Sequence, residues 1–225
     1  AFPLDSNGDL PADNDGDGFP DPTWDGADKL DALTSTALNN RVILTHDGSD
    51  GTAFNYVDAT HSPTIAHDND LDYDSSDDVK DHEAQARLNY IRGDDSNEGA
   101  SGNGYRTRNS ILGDIVNSTP VYVGESTLSW PDSFGAVGNR HELNFKEATL
   151  SATQDGIKDR TPVLYVGAND GMLHGFNASI GQTDSGKEVF AYVPDSVMSK
   201  LSEYTLPTYT AAGQHRYYVD GSAIS

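Results

Sequence analysis

Between Asp5 and Asp21 the chain reads DSNGDLPADNDGDGFPD, with an oxygen-bearing side chain on nearly every second position. That spacing can turn carboxylates inward around a hard cation. Calcium takes about six to eight oxygens, from side chains at loop positions 1, 3 and 5 and a carbonyl at 7, with a glycine at 6 for the turn. Asp13, Asp15, Asp17, Gly18, the carbonyl of Phe19 and then Asp21 at position 9 fit this register. Asp5, Asn7, Asp9 and Asp13 fit an overlapping copy that shares Asp13. The competing reading is a solvated acidic linker, which would have no reason to keep alternate spacing.

Position 12 of the second copy is Trp24, not a bidentate Glu, so the ladder is closer to a thrombospondin type-3 calcium repeat than to an EF-hand. A second acidic run, HDNDLDYDSSDDVKD, lays Asp70, Asp72, Asp74, the carbonyl of Ser76, Asp78 and Asp81 on the same positions. There Ser75 replaces the turn glycine, and the alternative is a charged approach to a helix N-terminus, whose dipole favours Asp77 and Asp78 without a metal. Arg92-Gly93-Asp94 is the tripeptide integrins recognise when it projects from an exposed turn. The other reading is a helix end, with Arg92 in the last turn and Gly93 as the cap.

The seven histidines show no H-E-x-x-H or related spacing and read as surface or strand-packing residues. No nucleophile elbow, phosphate loop or dinucleotide fingerprint is present, so nothing supports an enzyme. There is no cysteine, which removes disulfides and thiolate chemistry.

These residues need elements to hold them. Hydrophobic content is thin, at 35%, and the charge is lopsided. Residues 1–100 carry 23 acidic against 5 basic side chains, whereas residues 101–225 carry 13 against 9. A formal charge of −22 argues against nucleic acid and anionic lipid as partners and favours small cations. No run approaches the roughly 18 apolar residues of a membrane span, and the start lacks a basic, apolar leader, as expected of a chain that begins inside a longer one.

Three segments are expected. Residues 1–26 form the acidic calcium-loop lead-in. Residues 27–104 hold two short helices, a hairpin and the second acidic run. GADKLDALTSTALNN places Leu30, Leu33, Ala37 and Leu38 on one helical face, with Asp25 or Asp28 as N-cap. RVILTH, DGSDG and TAFNYV read as strand, turn and strand. DDVKDHEAQARLNYIRG reads as a helix with Val79, Glu83, Ala86 and Tyr90 on one stripe and Gly93 as its C-terminal cap. Residues 105–225 shift to short β runs. STPVYVG at 118–124 recurs as TPVLYVG at 161–167, and YYVDG echoes it from Tyr217. A period of this size predicts the first blades of a β-propeller, incomplete here. The fold class is therefore mainly β, a partial propeller with quinoprotein-like blades preceded by acidic loops and two short helices.

LNYIRGDDSNEG, YRTRNSILGDIVNSTPVYVG, YVGANDGMLHGFNA, GKEVFAYVPDSV and HRYYVDGS, in that order, resemble the C-terminal propeller of the PilY-type pilus-tip adhesins, type IV pilus biogenesis factors related to neisserial PilC. GDGFPDPTW resembles the lead-in to that domain. The resemblance implies an extracellular, outer-membrane-associated protein at the pilus tip, working with minor pilins in pilus assembly, retraction, twitching motility and adhesion to host or abiotic surfaces. It implies Ca2+ as the cofactor and a longer parent, with a von Willebrand factor A-like region upstream and further blades from the same parent or a second chain. The stretch DKLDALTSTALNN lacks the Trp-His usual in these relatives, and their later calcium loop would lie beyond Ser225.

Two other functions fit parts of the pattern. GFNASIGQTDSGKEVFAY resembles the blade motif of calcium-dependent quinoprotein dehydrogenases, with Phe190 near the place of their docking tryptophan, but the adjacent cysteines around pyrroloquinoline quinone are missing. A calcium-rigidified spacer of a large surface protein would use the same acidic loops, since metal binding to a floppy linker becomes folding energy.

Overall fold

A computed structural model of the chain describes residues 12–14, 21–46, 50–55, 71, 80–99, 104–124, 160–211, 213 and 215–223. Its centre is a six-stranded mixed sheet that does not close on itself. The strands are β1 (Ile43–His46), β2 (Gly51–Ala53), β3 (Val121–Val123), β4 (Val163–Gly167), β5 (Leu173–Asn177) and β6 (Glu188–Tyr192), in the order β2-β1-β6-β5-β4-β3. Strands β3 to β6 form an antiparallel meander, the arrangement of a propeller blade.

The expected hairpin is present, with Leu44 opposite Ala53 and His46 opposite Gly51. It joins the sheet because β1 runs parallel to β6, Ile43 beside Ala191, with Ala191 N–H donating to the Val42 carbonyl at 2.9 Å. The segment before residue 105 and the β runs after it thus share one sheet. A two-stranded hairpin is marginal alone and gains its stability from that neighbour.

The repeat departs from expectation. STPVYVG and TPVLYVG do not occupy matching places in successive blades; they are adjacent strands, β3 and β4, with Val121 opposite Tyr165 and Val123 opposite Val163. Two copies of one alternating pattern pair readily, because their inward and outward residues fall into register. The third echo, from Tyr217, carries no strand among the described residues. It lies along the loop before β3, where Asn117 N–H donates to Asp220 Oδ1 at 2.9 Å and Thr119 N–H to Ser222 Oγ at 2.9 Å.

Alternation along the strands gives one face to the core. Val166, His174, Ala191 and Ile43 are cross-strand neighbours and all are buried. Five helices lie among the described residues: α1 (Gly26–Asp31), α2 (Ser35–Asn39), α3 (Lys80–Ile91), α4 (Asp195–Met198) and α5 (Leu201–Tyr204). Ile43 and Ala191 pack with Leu88 and Ile91 of α3, Met198 of α4 and Leu201 of α5. Val166 and Phe176 pack with Leu30 of α1, and Trp24 leans on this second cluster, 6.3 Å from the Phe176 ring.

The helix expected over residues 26–40 is two helices. Asp25 caps α1, accepting from Ala27 N–H at 2.7 Å, but Thr34 starts a new helix by accepting from Ala37 N–H at 3.3 Å. A hydroxyl in mid-pattern offers the backbone a fresh cap, and here it wins over continuous helix. Helix α3 ends as its sequence predicts. Gly93 takes φ +117°, and Asp94 N–H donates to the Asn89 carbonyl and Gly93 N–H to that of Tyr90, both at 2.9 Å, a Schellman cap. Among its described side chains the buried face is Ala84, Arg87, Leu88, Tyr90 and Ile91; of the expected stripe Tyr90 is buried, Ala86 is half-buried, and Val79 and the Glu83 side chain lie outside what the structure describes. Arg87 turns inward because its guanidinium donates to the Leu71 carbonyl at 2.9 Å.

Candidate functional site

Of the first acidic ladder, the structure describes the base. Asp13 and Asp21 lie within it; Asp5, Asn7, Asp9, Asp15, Asp17 and Phe19 fall outside the described residues. Asp21 N–H donates to the Ala12 carbonyl at 2.9 Å, so positions 1 and 9 of the loop are held at the same end. The Asp21 carboxylate takes two bonds on Oδ2, from Asn14 N–H at 3.2 Å and Asn14 Nδ2 at 2.5 Å. Its Oδ1 has no hydrogen bond among the described residues. Every donor of the ladder is a hard oxygen, which suits calcium or magnesium rather than a metal wanting nitrogen or sulfur. The residues fit the ion that the resemblance implies.

Of the second run, Asp70, Asp72, Asp74, Ser76 and Asp78 also fall outside the described residues, and Asp81 is placed only as part of α3. Among the described residues no group of three His, Cys, Asp or Glu side chains converges as a metal site.

The Arg-Gly-Asp tripeptide occupies the α3 corner. Arg92 is buried and points inward: Nη1 donates to the Phe54 carbonyl at 2.5 Å, and Nη2 donates to the carbonyls of Asn39 and Arg41 at 3.0 Å and of Leu38 at 3.3 Å. Burial, then the neighbouring Arg41 charge, lowers its pKa to about 10. Asp94 turns back locally and accepts from Ser96 N–H at 2.8 Å. This arginine pins α3 to the α2–β1 link and to the end of β2. Its guanidinium is enclosed, so the tripeptide does not offer the projecting pair that adhesive recognition requires.

The strongest electrostatic arrangement lies under the sheet, and local spacing did not reveal it. His174 of β5 sits between two carboxylates: Nδ1 is 2.8 Å from Glu188 Oε1, and Nε2 is 3.0 Å from Asp170 Oδ2. Arg41 grips Glu188 bidentately, Nε to Oε2 at 2.7 Å and Nη2 to Oε1 at 2.8 Å, and donates Nη1 to the Arg92 carbonyl at 2.6 Å. Asp170 also accepts from Gly113 N–H and Met172 N–H, each at 3.0 Å. Gly113 is required there, because a Cβ at that position would run into the Asp170 backbone.

Burial, the largest single influence, would lower the His174 pKa, but the charges of Asp170 and Glu188 and the hydrogen bonds to both carboxylates together outweigh it, and the value rises to about 9. Burial would likewise raise Glu188, yet the Arg41 and His174 bonds bring it down to about 2. Asp170 is also held below its ordinary value: burial, the largest single influence, opposes this, and the His174 charge and hydrogen bond, the Gly113 N–H and the Arg41 charge together overcome it. At neutral pH the four groups form Asp⁻, His⁺, Glu⁻ and Arg⁺, a closed set with no net charge. No side chain in it is left to act as a nucleophile or base. The available signal was the inward parity of His174 on a core strand, four residues after Asp170, since a buried polar ring requires partners.

Comparison with known proteins then places the chain. The family model described as "PilY1 beta-propeller domain" matches residues 112–225. The chain is similar to the type IV pilus biogenesis factor PilY1 of Pseudomonas aeruginosa strain PAK, with 35% identity over 204 residues, covering 89% of this chain and 16% of that protein. It is 44% identical over 137 residues to a PilY1 homolog of Xylella fastidiosa, covering 60% of this chain and 10% of that one. The chain thus spans about a sixth or less of the length of these curated relatives. No solved structure matches.

Proposed function

The chain belongs to the PilY1 β-propeller family, and on that premise we propose that it is part of a type IV pilus biogenesis factor, acting at the cell surface through binding and not through catalysis. The observation that carries this is similarity over 89% of the chain to a protein named for that role. The closed Asp170–His174–Glu188–Arg41 set supports it, because these buried charged groups are spent on one another.

Calcium is the proposed cofactor. The ions would be held by Asp13, Asp15, Asp17, the Phe19 carbonyl and Asp21, with Asp5, Asn7 and Asp9 in the overlapping copy. When bound, the cation neutralises carboxylates that otherwise repel one another. The chain's own contribution is to join the loop to the core: Asp21 closes its base, and Trp24, three residues on, packs on the Phe176 cluster. Minor pilins at the pilus tip are the proposed partners, with adhesion and twitching motility as the outcome. The test is an in-frame deletion of the coding region for this segment in its native strain, scored for surface pili and twitching zone. Loss of both, restored by the full-length gene, is expected; normal piliation and motility with the segment deleted would refute the pilus role.

A further inference from the structure

A cavity of about 500 Å³ opens between the α1–α2 corner, the turn after α3 and residues 108–111. It shares no residue with the acidic ladder or the buried charge set. Part of its lining is aliphatic. Leu38 and Ile111 meet above Gly93, so closely that a Cβ on Gly93 would lie 2.8 Å from Leu38 Cδ2 and 3.2 Å from Ile111 Cδ1. Leu33 belongs to the same lining. The glycine therefore does two things: it caps α3 through its positive φ and lets the two side chains close over it.

The rim is acidic, and among the described residues its charge is not cancelled. Among the described lining residues the one cation is Arg108, and it is committed to Glu98, which accepts from Arg108 Nε at 2.6 Å and from Arg108 N–H at 2.9 Å. The Arg108 guanidinium also lies 3.8 Å over the Tyr90 ring and donates to the carbonyls of Tyr90 and Asp94, so its donors are engaged. Asp31 and Asp95 remain. Asp31 uses Oδ1 to accept from Ile111 N–H at 2.7 Å and Ser110 Oγ at 3.3 Å, which orients its carboxylate and leaves Oδ2 without a hydrogen bond among the described residues. Asp95, which also lines the cavity, is exposed.

Aliphatic side chains beside two carboxylates that have no cation partner among the described residues complement one kind of group: a long aliphatic stem ending in a cation. Lysine and arginine side chains bury their methylenes on apolar surface while keeping the charged head near water and counter-charge. We propose that this cavity is a docking site for a basic side chain, Lys or Arg, presented by a partner protein segment. The −22 charge of the chain draws such a segment in, and the cavity sets where it seats. The site uses the Arg-Gly-Asp corner in reverse: the chain's own arginine is enclosed, and a partner's cation occupies the groove beside it. The proposal is independent of the calcium and pilus readings.

The test is a two-dimensional amide NMR titration of the intact chain, at fixed calcium, with Nα-acetyl-lysine methylamide and with its uncharged analogue Nα-acetyl-norleucine methylamide. Saturable shifts at the amides of Leu33, Asp95, Ser110 and Ile111 are expected for the lysine probe and not for norleucine. Asp95→Asn, in an exposed turn, should keep the fold and weaken the lysine probe roughly threefold, the scale of one partly exposed ion pair. Equal responses to the two probes, shifts confined to the acidic ladder, or unchanged affinity in Asp95→Asn would each overturn the proposal.

Discussion

The buried charge set and the acidic ladder hold similar side chains and resolve them in opposite ways. Under the sheet, Asp170 and Glu188 face His174 and Arg41, and each carboxylate has a cation within hydrogen-bonding distance. In the ladder, acids follow one another with no basic residue between Asp5 and Asp25. Charge paired inside the fold asks nothing of the medium; charge left unpaired ties the structure to whatever cation the medium supplies. The difference separates a part of the molecule that is set once, on folding, from a part proposed to respond to its surroundings.

Breaking the buried set gives the largest expected effect. Glu188→Gln leaves His174 and Arg41 with only Asp170 between them. Removing one partner of a buried ion pair costs about 3–5 kcal/mol. Denaturant unfolding should show a loss of that size, and the loss should be the same in calcium and in chelator. A change below about 1 kcal/mol, within the range of a surface substitution, would mean that the four groups do not act as a unit.

The same set should impose a pH window. His174 has a raised pKa, so its contribution is complete below the ordinary histidine value of 6.5 and is lost as pH rises through about 9. Glu188 has a lowered pKa, so its contribution is complete above the ordinary 4.5 and is lost as pH falls through about 2. Both are fully present only between about 4.5 and 6.5. Thermal melts should plateau there and fall on the alkaline side by an amount on the order of 3 kcal/mol by pH 9, about 1.4 kcal/mol for each unit of the His174 shift. His174→Gln should flatten that alkaline limb; an unchanged limb would place its cause elsewhere.

What could be read beforehand follows from the range over which each feature is encoded. Asp25 as a cap, Gly93 as a helix stop, the hairpin from Arg41 onward and the blade strands are set by neighbours a few residues apart, and local pattern found them. Arg41 and Glu188 stand 147 residues apart, and no periodicity connects them. The inward turn of Arg92 depends on four carbonyls from two other segments, residues 38–41 and Phe54, so the tripeptide itself is silent on exposure. Thr34 shows the opposite failure, a local competition between a continuing helix and a new cap that hydrophobic spacing did not weigh. The twin VYVG and LYVG strands were recognised as related; whether related strands stack in successive blades or pair side by side is decided by the chain between them.

The ladder supplies the smaller effect and the sharper comparison. A ligand that binds the folded chain alone stabilises it by RT ln(1 + [L]/Kd), about 2.7 kcal/mol at a free concentration one hundred times Kd. That gain reaches the whole fold only if the loop is tied to the core, and the ties are Asp21 to Ala12 and Trp24 to Phe176. Calcium should therefore raise the melting temperature of the intact chain, and Asp15→Ala with Asp17→Ala should abolish the rise while leaving the metal-free melt nearly unchanged. Calorimetry should lose at least one calcium per chain in the same variant. Combining the pair with Glu188→Gln closes a cycle. Sites that share no partner add, so the Glu188→Gln loss should be equal with and without the loop substitutions. A coupling above about 0.5 kcal/mol would show that the metal loop and the buried set are one cooperative system, and the division between a self-sufficient core and an ion-dependent entrance would fail.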